Sequence, residues 1–316
     1  MRPDASRWFA RRTLRAGDAP SARTLVSLAG GRTASVVIPA LDEEPTVGAV
    51  VASVRPLVEA GLVDELLVVD GGSRDGTVQV ARSAGARVVS VAELLPAHGS
   101  RPGKGESMWK ALEATDGDLV VYLDADVLDS SPGWVAGLLW PLLAEPDVSF
   151  VKACYDRPLA GGGVVAPTGG GRVTELSARP LLDLLHPALA GFVQPLAGEC
   201  AATRSLLESL PFSGGYAVEI GLLLDAYDAV GLEGMAQVDL GSRRHRNRDT
   251  ADLGRMSATV VAEVLARTGV ELRGGTLTQF VRDDEAYAPS ERAVTADARP
   301  PMQDVPEYAA RRARAS

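Results

Sequence analysis

The chain has 316 residues, 46% of them hydrophobic, enough for one large domain or two smaller ones with a sizeable core. Its formal charge of −9 argues against a general nucleic-acid binder. No stretch is long and apolar enough to span a bilayer, and the Arg-rich first thirty residues lack a signal-peptide core, so a cytoplasmic protein without a membrane partner is expected. Cys154 and Cys200 sit in apolar surroundings without zinc-site spacing and read as buried free thiols of a reducing compartment.

Residues 1–33 read as a loosely ordered N-terminal arm. Ser35 to Ala40 is the first strand, and Leu41 to Thr46 leads into a helix reaching about Val58, with Pro45 suited to its first turn. Glu65 to Asp70 is a second buried strand, closed by the tight turn Gly71 to Thr77 before another helix. Arg87 to Val91 is a third strand, and Pro102-Gly-Lys-Gly105 opens a helix to about Thr115. The unbroken run Leu119 to Leu123, bounded by charge, predicts a strand buried on both faces. This alternation predicts a doubly wound α/β sheet.

The second half is less regular. Ser149 to Tyr155 reads as a strand, Phe192 to Ala202 as extended, and Met235 to Leu240 as a short strand. Thr174 to Leu185, Val218 to Val230 and residues 250–268 read as helices. Glycine triplets at 161–163 and 169–171 bracket a loop poorly suited to a packed element. From Asp283 the polar, proline-punctuated tail is expected to be disordered or a mobile arm.

The chemistry gathers at the strand ends. Ligands of open α/β sheets bind outside the carboxyl ends of the strands, where Asp124-Ala125-Asp126 falls. Two carboxylates spaced i, i+2 suit a hard divalent cation that bridges to a diphosphate, or else form a solvated acidic turn. Lys104, between two glycines at a helix start, suits a phosphate; the spacing does not fit a P-loop, and a surface lysine is the competing reading. Backbone groups of Pro39 to Glu44, and Asp70 beside them, could hold a base or ribose. Gly169-Gly-Gly-Arg-Val-Thr174 joins a pliable backbone to a guanidinium and a hydroxyl, suited to a small phosphate or carboxylate; a flexible surface loop is the competing reading. Arg243 to Arg248 surround His245, which becomes a metal candidate if that loop closes over the strand crest. His98 and His186 read as structural or solvated.

Pro-Ala-Leu-Asp-Glu-Glu (39–44), Val-Val-Asp-Gly-Gly-Ser-Arg-Asp-Gly-Thr (68–77), Pro-Gly-Lys-Gly (102–105) and Leu-Asp-Ala-Asp (123–126) follow one another in an order that resembles nucleotide-sugar glycosyltransferases of the GT-A fold. Gly-Gly-Gly-Arg-Val-Thr-Glu-Leu (169–176), Gln-Pro-Leu-Ala-Gly-Glu (194–199), Gly-Tyr-Ala-Val-Glu-Ile-Gly (215–221), Gln-Val-Asp-Leu-Gly (237–241) and His-Arg-Asn-Arg (245–248) narrow the resemblance to the actinobacterial glucosyl-3-phosphoglycerate synthase family, over about residues 30–270. The resemblance implies a mixed GT-A sheet, with a nucleotide-sugar half at 34–155, a smaller acceptor half at 156–282 and a tail at 283–316. It implies that Pro39, Ala40, Leu41, Glu43 and Gly71 line the nucleoside pocket. Lys104 would contact the diphosphate, and Asp124 and Ala125 would lie on the ribose side. Asp126 and His245 would ligate Mg²⁺ or Mn²⁺. Gly171, Arg172, Thr174, Asn247 and Arg248 would hold 3-phosphoglycerate, and Glu219 the sugar or acceptor hydroxyls. Glu219, Asp126 and Lys104 are the candidate catalytic residues. Asp42, Gly71 and Ala125 stand where the family usually carries Asn, Ser and Ser.

The expected reaction is metal-dependent transfer of glucose from an NDP-glucose, with UDP-glucose the first choice, to 3-phosphoglycerate with retention, by a homodimer. Covalent and same-face mechanisms both stay open, with Glu219 the motif carboxylate to test as nucleophile. The nearest alternative is a mannosyl-3-phosphoglycerate synthase. A lipid-phosphate glycosyltransferase would want a membrane anchor, and a non-catalytic nucleotide-sugar sensor would not need Asp126, His245 and Lys104 together.

Overall fold

The structure, a computed structural model, describes residues 1–161, 164–243, 249–283, 286–294 and 297–315. The chain opens with α1 (Pro3–Arg12), the short β1 (Thr13–Arg15) and α2 (Ala22–Ala29). The alternating half follows: β2 (Ala34–Ala40), α3 (Val47–Glu59), β3 (Glu65–Asp70), α4 (Thr77–Ser83) and β4 (Arg87–Ser90). Then come α5 (Lys104–Ala114), β5 (Leu119–Tyr122), α6 (Pro132–Ala144) and β6 (Phe150–Asp156). A hairpin, β7 (Pro158–Gly161) and β8 (Val164–Gly169), leads to a π-helical turn at Thr174–Ala178 and α7 (Arg179–Leu185). After β9 (Cys200–Thr203), α8 (Arg204–Ser209) and β10 (Phe212–Ser213) come α9 (Val218–Val230), β11 (Met235–Ser242) and α10 (Thr250–Arg267). The chain ends with β12 (Thr276–Asp283), β13 (Ala286–Ala293), β14 (Ala298–Arg299) and α11 (Pro306–Ala315).

Among the described residues, eight strands form one sheet in the order β1-β11-β6-β9-β5-β2-β3-β4. All its neighbours run parallel except β9, which is antiparallel to β5 and β6. The sheet is therefore mixed, as the GT-A resemblance implies. The central strands β2, β3 and β5 feed two cores by alternation. Val37, Val120 and Tyr122 enter one, with Trp109, Phe192 and Leu222; Val36, Ile38 and Val121 enter the other, with Val50 and Leu138. Burial on both faces is why these strands read as continuous apolar runs.

Four expectations need correction. Residues 1–33 are no loose arm: Trp8 is fully buried, stacks on Phe192 with ring centroids 4.4 Å apart, and donates to the Met235 carbonyl at 2.9 Å. β1 then pairs in parallel with β11 at the sheet edge. The loop between the glycine triplets contains β8, which pairs in antiparallel with β7 just before the first triplet, because Val164, Val165 and Thr168 are β-tolerant; residues 162–163 lie outside the described residues. Of the stretch 192–202 only its end is strand, since Pro195 and Gly198 turn the chain before Cys200. The tail is ordered where described. Met302, Val305 and Tyr308 are buried, and Pro306 starts α11 at the position where a missing N–H costs nothing. Among the described residues no helix is long and apolar enough to cross a membrane.

Candidate active site

A cavity of ≈ 480 Å³ opens at the carboxyl ends of β2, β3 and β5. Pro39 and Ala40 end β2, and Leu41 and Glu43 begin the turn beyond it; all four line the cavity, as does Gly71. Gly71 is bound to this crest through its N–H on the Ala40 carbonyl at 2.8 Å. The turn is tied to its neighbour: Glu43 N–H donates to Thr77 Oγ1 at 2.8 Å and Arg74 N–H to Asp42 Oδ1 at 2.7 Å. Asp70 instead accepts from the N–H groups of Gly72 and Ser73 at 3.1 and 3.2 Å. It is a turn carboxylate and does not line the cavity.

Lys104 begins α5 and points across the cavity. Its ammonium pairs with Asp124, donates to Glu219 Oε1 at 3.0 Å and reaches the Gly198 carbonyl at 3.3 Å. Burial alone would lower its pKa; the Asp124 and Glu219 carboxylates override burial and hold the ammonium well above the usual lysine value. Burial would likewise raise Asp124, yet Lys104 and Arg243 keep its carboxyl well below the usual range. Two glycines make this geometry possible. A Cβ on Gly198 would overlap the Asp124 carboxylate. Gly103 has φ +110° and meets Gly215 so closely that an added Cβ would sit 2.8 Å from the Gly215 Cα.

Arg243 completes the polar centre, and sequence reasoning assigned it no role there. Its buried guanidinium places Nη2 2.8 Å from Asp124 Oδ2 and 2.9 Å from Asp126 Oδ1. Nη1 lies 3.1 Å from Glu199 Oε1 and donates to the Tyr155 hydroxyl at 2.8 Å. Glu199 is fully buried; burial pushes its pKa up despite Arg243. The available signal was a crest of carboxylates, which cannot be buried without a cation. Beneath Glu219, the buried Lys152 on β6 donates to the Glu219 carbonyl at 3.1 Å, and burial lowers its pKa.

Oxygens of Asp124 and Asp126 thus converge on one cationic nitrogen. That arrangement fits a hard divalent ion, which prefers carboxylate oxygen ligands. Among the described residues no group of three or more His, Cys, Asp and Glu gathers as a metal site. His245, the other predicted metal ligand, and Asn247 and Arg248, predicted to hold the acceptor, lie outside the described residues.

The glycine-rich loop at 169–174 also borders the cavity. Gly171, at φ +71°, Arg172 and Thr174 all line the cavity. Thr174 is buried and its hydroxyl faces Gln194 Oε1 at 3.5 Å. Arg157, also lining the cavity, supports the loop: its carbonyl accepts from Gly170 N–H at 3.0 Å, and its guanidinium donates to the Tyr155 hydroxyl at 3.0 Å. Asp124, Ala125, Asp126 and Glu219 complete the predicted set. Every described residue that the resemblance assigned to the site therefore borders one cavity, together with Arg101, Tyr216 and Arg243; Asp70 is the candidate that does not.

Residues 35–164 match the family described as Glycosyl transferase family 2. Glucosyl-3-phosphoglycerate synthase of Mycolicibacterium paratuberculosis is 54% identical, over 87% of this chain and 85% of that protein. The Petrotoga mobilis protein of the same name is 41% identical, over 87% of both chains. A crystal structure of the Mycobacterium tuberculosis synthase with Mn²⁺, UDP-glucose and phosphoglyceric acid superposes with a TM-score of 0.84, at 47% identity, covering 92% of this chain and 98% of that one. Another, with Mg²⁺ and UDP, gives a TM-score of 0.85 at 47% identity and the same coverage. Likeness at this level, along nearly the whole of both chains, means that the chain belongs to the glucosyl-3-phosphoglycerate synthase family of glycosyltransferases.

Proposed function

We propose that the chain transfers glucose from UDP-glucose to 3-phosphoglycerate, with retention at the anomeric carbon and with Mg²⁺ or Mn²⁺. The carrying observation is the single cavity that joins the strand crest to the glycine-rich Arg172 loop. The solved relatives hold UDP-glucose and phosphoglyceric acid together, which favours this reading over a mannosyl donor.

In this reading Pro39, Ala40, Leu41, Glu43 and Gly71 seat the nucleoside, with Asp124 and Ala125 on its ribose side. Lys104 meets the diphosphate, exchanging part of its bonding to Asp124 and Glu219 for phosphate oxygens. Asp126 and His245 would hold the metal ion, whose chemistry is to neutralise charge on the departing diphosphate. Gly171, Arg172 and Thr174, with Asn247 and Arg248, orient the acceptor beside the anomeric carbon. Glu219, held by Lys104 at 3.0 Å, directs the sugar or acceptor hydroxyls. We assign the chain to the cytoplasm, in keeping with two buried free cysteines. We also assign it a homodimer, in keeping with the exposed apolar side chains Phe280, Val281 and Tyr287 on the β12–β13 hairpin.

The test is a matrix of UDP-, ADP- and GDP-linked glucose and mannose against 3-phosphoglycerate, with and without EDTA. UDP-glucose should turn over fastest, EDTA should abolish turnover, and Mg²⁺ or Mn²⁺ should restore it. Faster turnover of a mannose donor, or full activity after exhaustive chelation, defeats the reading.

A further inference from the structure

The wall that presents Lys104 is held from behind by the C-terminal segment. β14 pairs with β10, Gly214 N–H donates to the Asp297 carbonyl at 2.8 Å, and Arg101 donates to the Ala298 carbonyl at 3.3 Å. Arg299, 7% exposed, forks onto Glu106, with Nε 2.7 Å from Oε2 and Nη2 2.8 Å from Oε1. Its remaining nitrogen donates to the His98 carbonyl at 3.0 Å. The guanidinium lies 5.0 Å from the centre of the Trp109 ring, and Trp109 Nε1 in turn donates to the Pro300 carbonyl at 2.9 Å.

Glu106 faces a second buried cation. Lys110 Nζ stands 3.4 Å from Glu106 Oε1 and donates to the Val91 and Gly99 carbonyls at 2.9 and 2.6 Å and to Ser100 Oγ at 3.1 Å. Lys110, Glu106 and Arg299 therefore form a buried cation–anion–cation row that grips the carbonyls of residues 98 and 99 from inside. The same stretch continues directly into Arg101, Pro102, Gly103 and Lys104 of the cavity wall. A buried ionic row contributes less to stability than apolar packing of the same volume would. What it offers is direction, because the Arg299 fork fixes a carboxylate and a backbone carbonyl at once.

We propose that Arg299 is a positioning residue for the donor side of the cavity: through Glu106 and the His98 carbonyl it sets the turn that delivers Lys104 to the diphosphate. The C-terminal segment is then part of donor recognition, although Arg299 touches no substrate. The assignment of the diphosphate to Lys104 rests on the function proposed above; the positioning of the turn does not.

The experiment compares wild type, Arg299→Met and Arg299→Lys. It reads the KM for UDP-glucose and for 3-phosphoglycerate, UDP affinity by calorimetry, and amide hydrogen exchange over residues 98–107. In Arg299→Met the donor KM and the UDP dissociation constant should rise ~10-fold, at the low end of losses from outer supporting residues. The phosphoglycerate KM should move less than about twofold, and exchange protection over 98–104 should fall. Arg299→Lys, which keeps the charge without the fork, should lie between. Should Arg299→Met fail to fold, the Lys variant alone must show the raised donor KM with the acceptor KM unchanged. Unchanged donor KM and UDP affinity overturn the proposal whatever the melting temperature does, and so does an equal rise in both KM values. If wild type itself binds no UDP, the proposed function falls, and the exchange data alone decide whether Arg299 positions the turn.

Discussion

Arg172 and Gly198 both line the cavity. Arg172 lines it on the glycine-rich loop, and in the proposed function it meets the phosphate and carboxylate of the acceptor. Arg172→Ala should weaken 3-phosphoglycerate binding by ~1.5–3 kcal/mol, the range for hydrogen bonds to charged groups. UDP binding should barely change, and calorimetry with each ligand checks both. Gly198 carries no chemistry, yet a methyl there overlaps the Asp124 carboxylate. Gly198→Ala should displace Asp124 and lower kcat/KM ~10-fold or more, with a melting temperature close to wild type; an unchanged kcat/KM refutes that role. Asp124, Asp126, Lys104 and Arg172 were legible in the chain because each stands at a strand end, a helix start or a glycine-rich turn. Arg243 and Glu199 were not. Their ion-pair partners lie far along the chain, 117 residues from Arg243 to Asp126 and 44 from Glu199 to Arg243, and nothing local marks either as buried.

The elements that read clearly are those whose signal is local. β2, β3 and β6 lie within a residue of their predicted spans, and α9 matches its own. The glycines and prolines that argued against order around 161–171 and after 283 were real obstacles, overcome by pairing and packing that no window of sequence contains. α11 illustrates the second case. It is fastened by Arg311, whose Nη1 donates to Asp116 Oδ1 at 2.8 Å, and by Tyr308 beneath. The Arg311 hydrogen bond, with the charges of Arg311, Arg204 and Arg312, holds the Asp116 carboxyl below its usual value. A carboxyl depressed in the folded state stabilises it fully above the unfolded value, near pH 4, and loses that contribution as pH falls through the folded value. Asp116→Asn should therefore melt about 1–2 °C lower than wild type at pH 7, as suits a largely exposed pair. The gap should close below about pH 4. A gap of the same size at pH 3 would show that Asp116 acts otherwise than through its charge.

The molecule as a whole is one mixed sheet whose edge strand comes from the first fifteen residues and whose final helix closes over α8 and the end of α5. Trp8 is the rivet at that edge, buried between Phe192 and the start of β11. Trp8→Ala should cost ~3–5 kcal/mol, as other large-to-small aromatic deletions do. Urea unfolding measures this, and a loss under about 1 kcal/mol would mean the N-terminal elements are dispensable to the core. The same pairing has a consequence in time. Thr13 and Gln237 are 224 residues apart, so at ~5–20 residues per second roughly 10–45 s of synthesis separate them. Through most of that interval the nascent chain carries α1 with its indole before Phe192 and β11, which receive it, have been made. α1 is thus made long before the strand it docks beside, and a chain interrupted before Met235 leaves the Trp8 indole N–H without its carbonyl, open to chaperones and proteases.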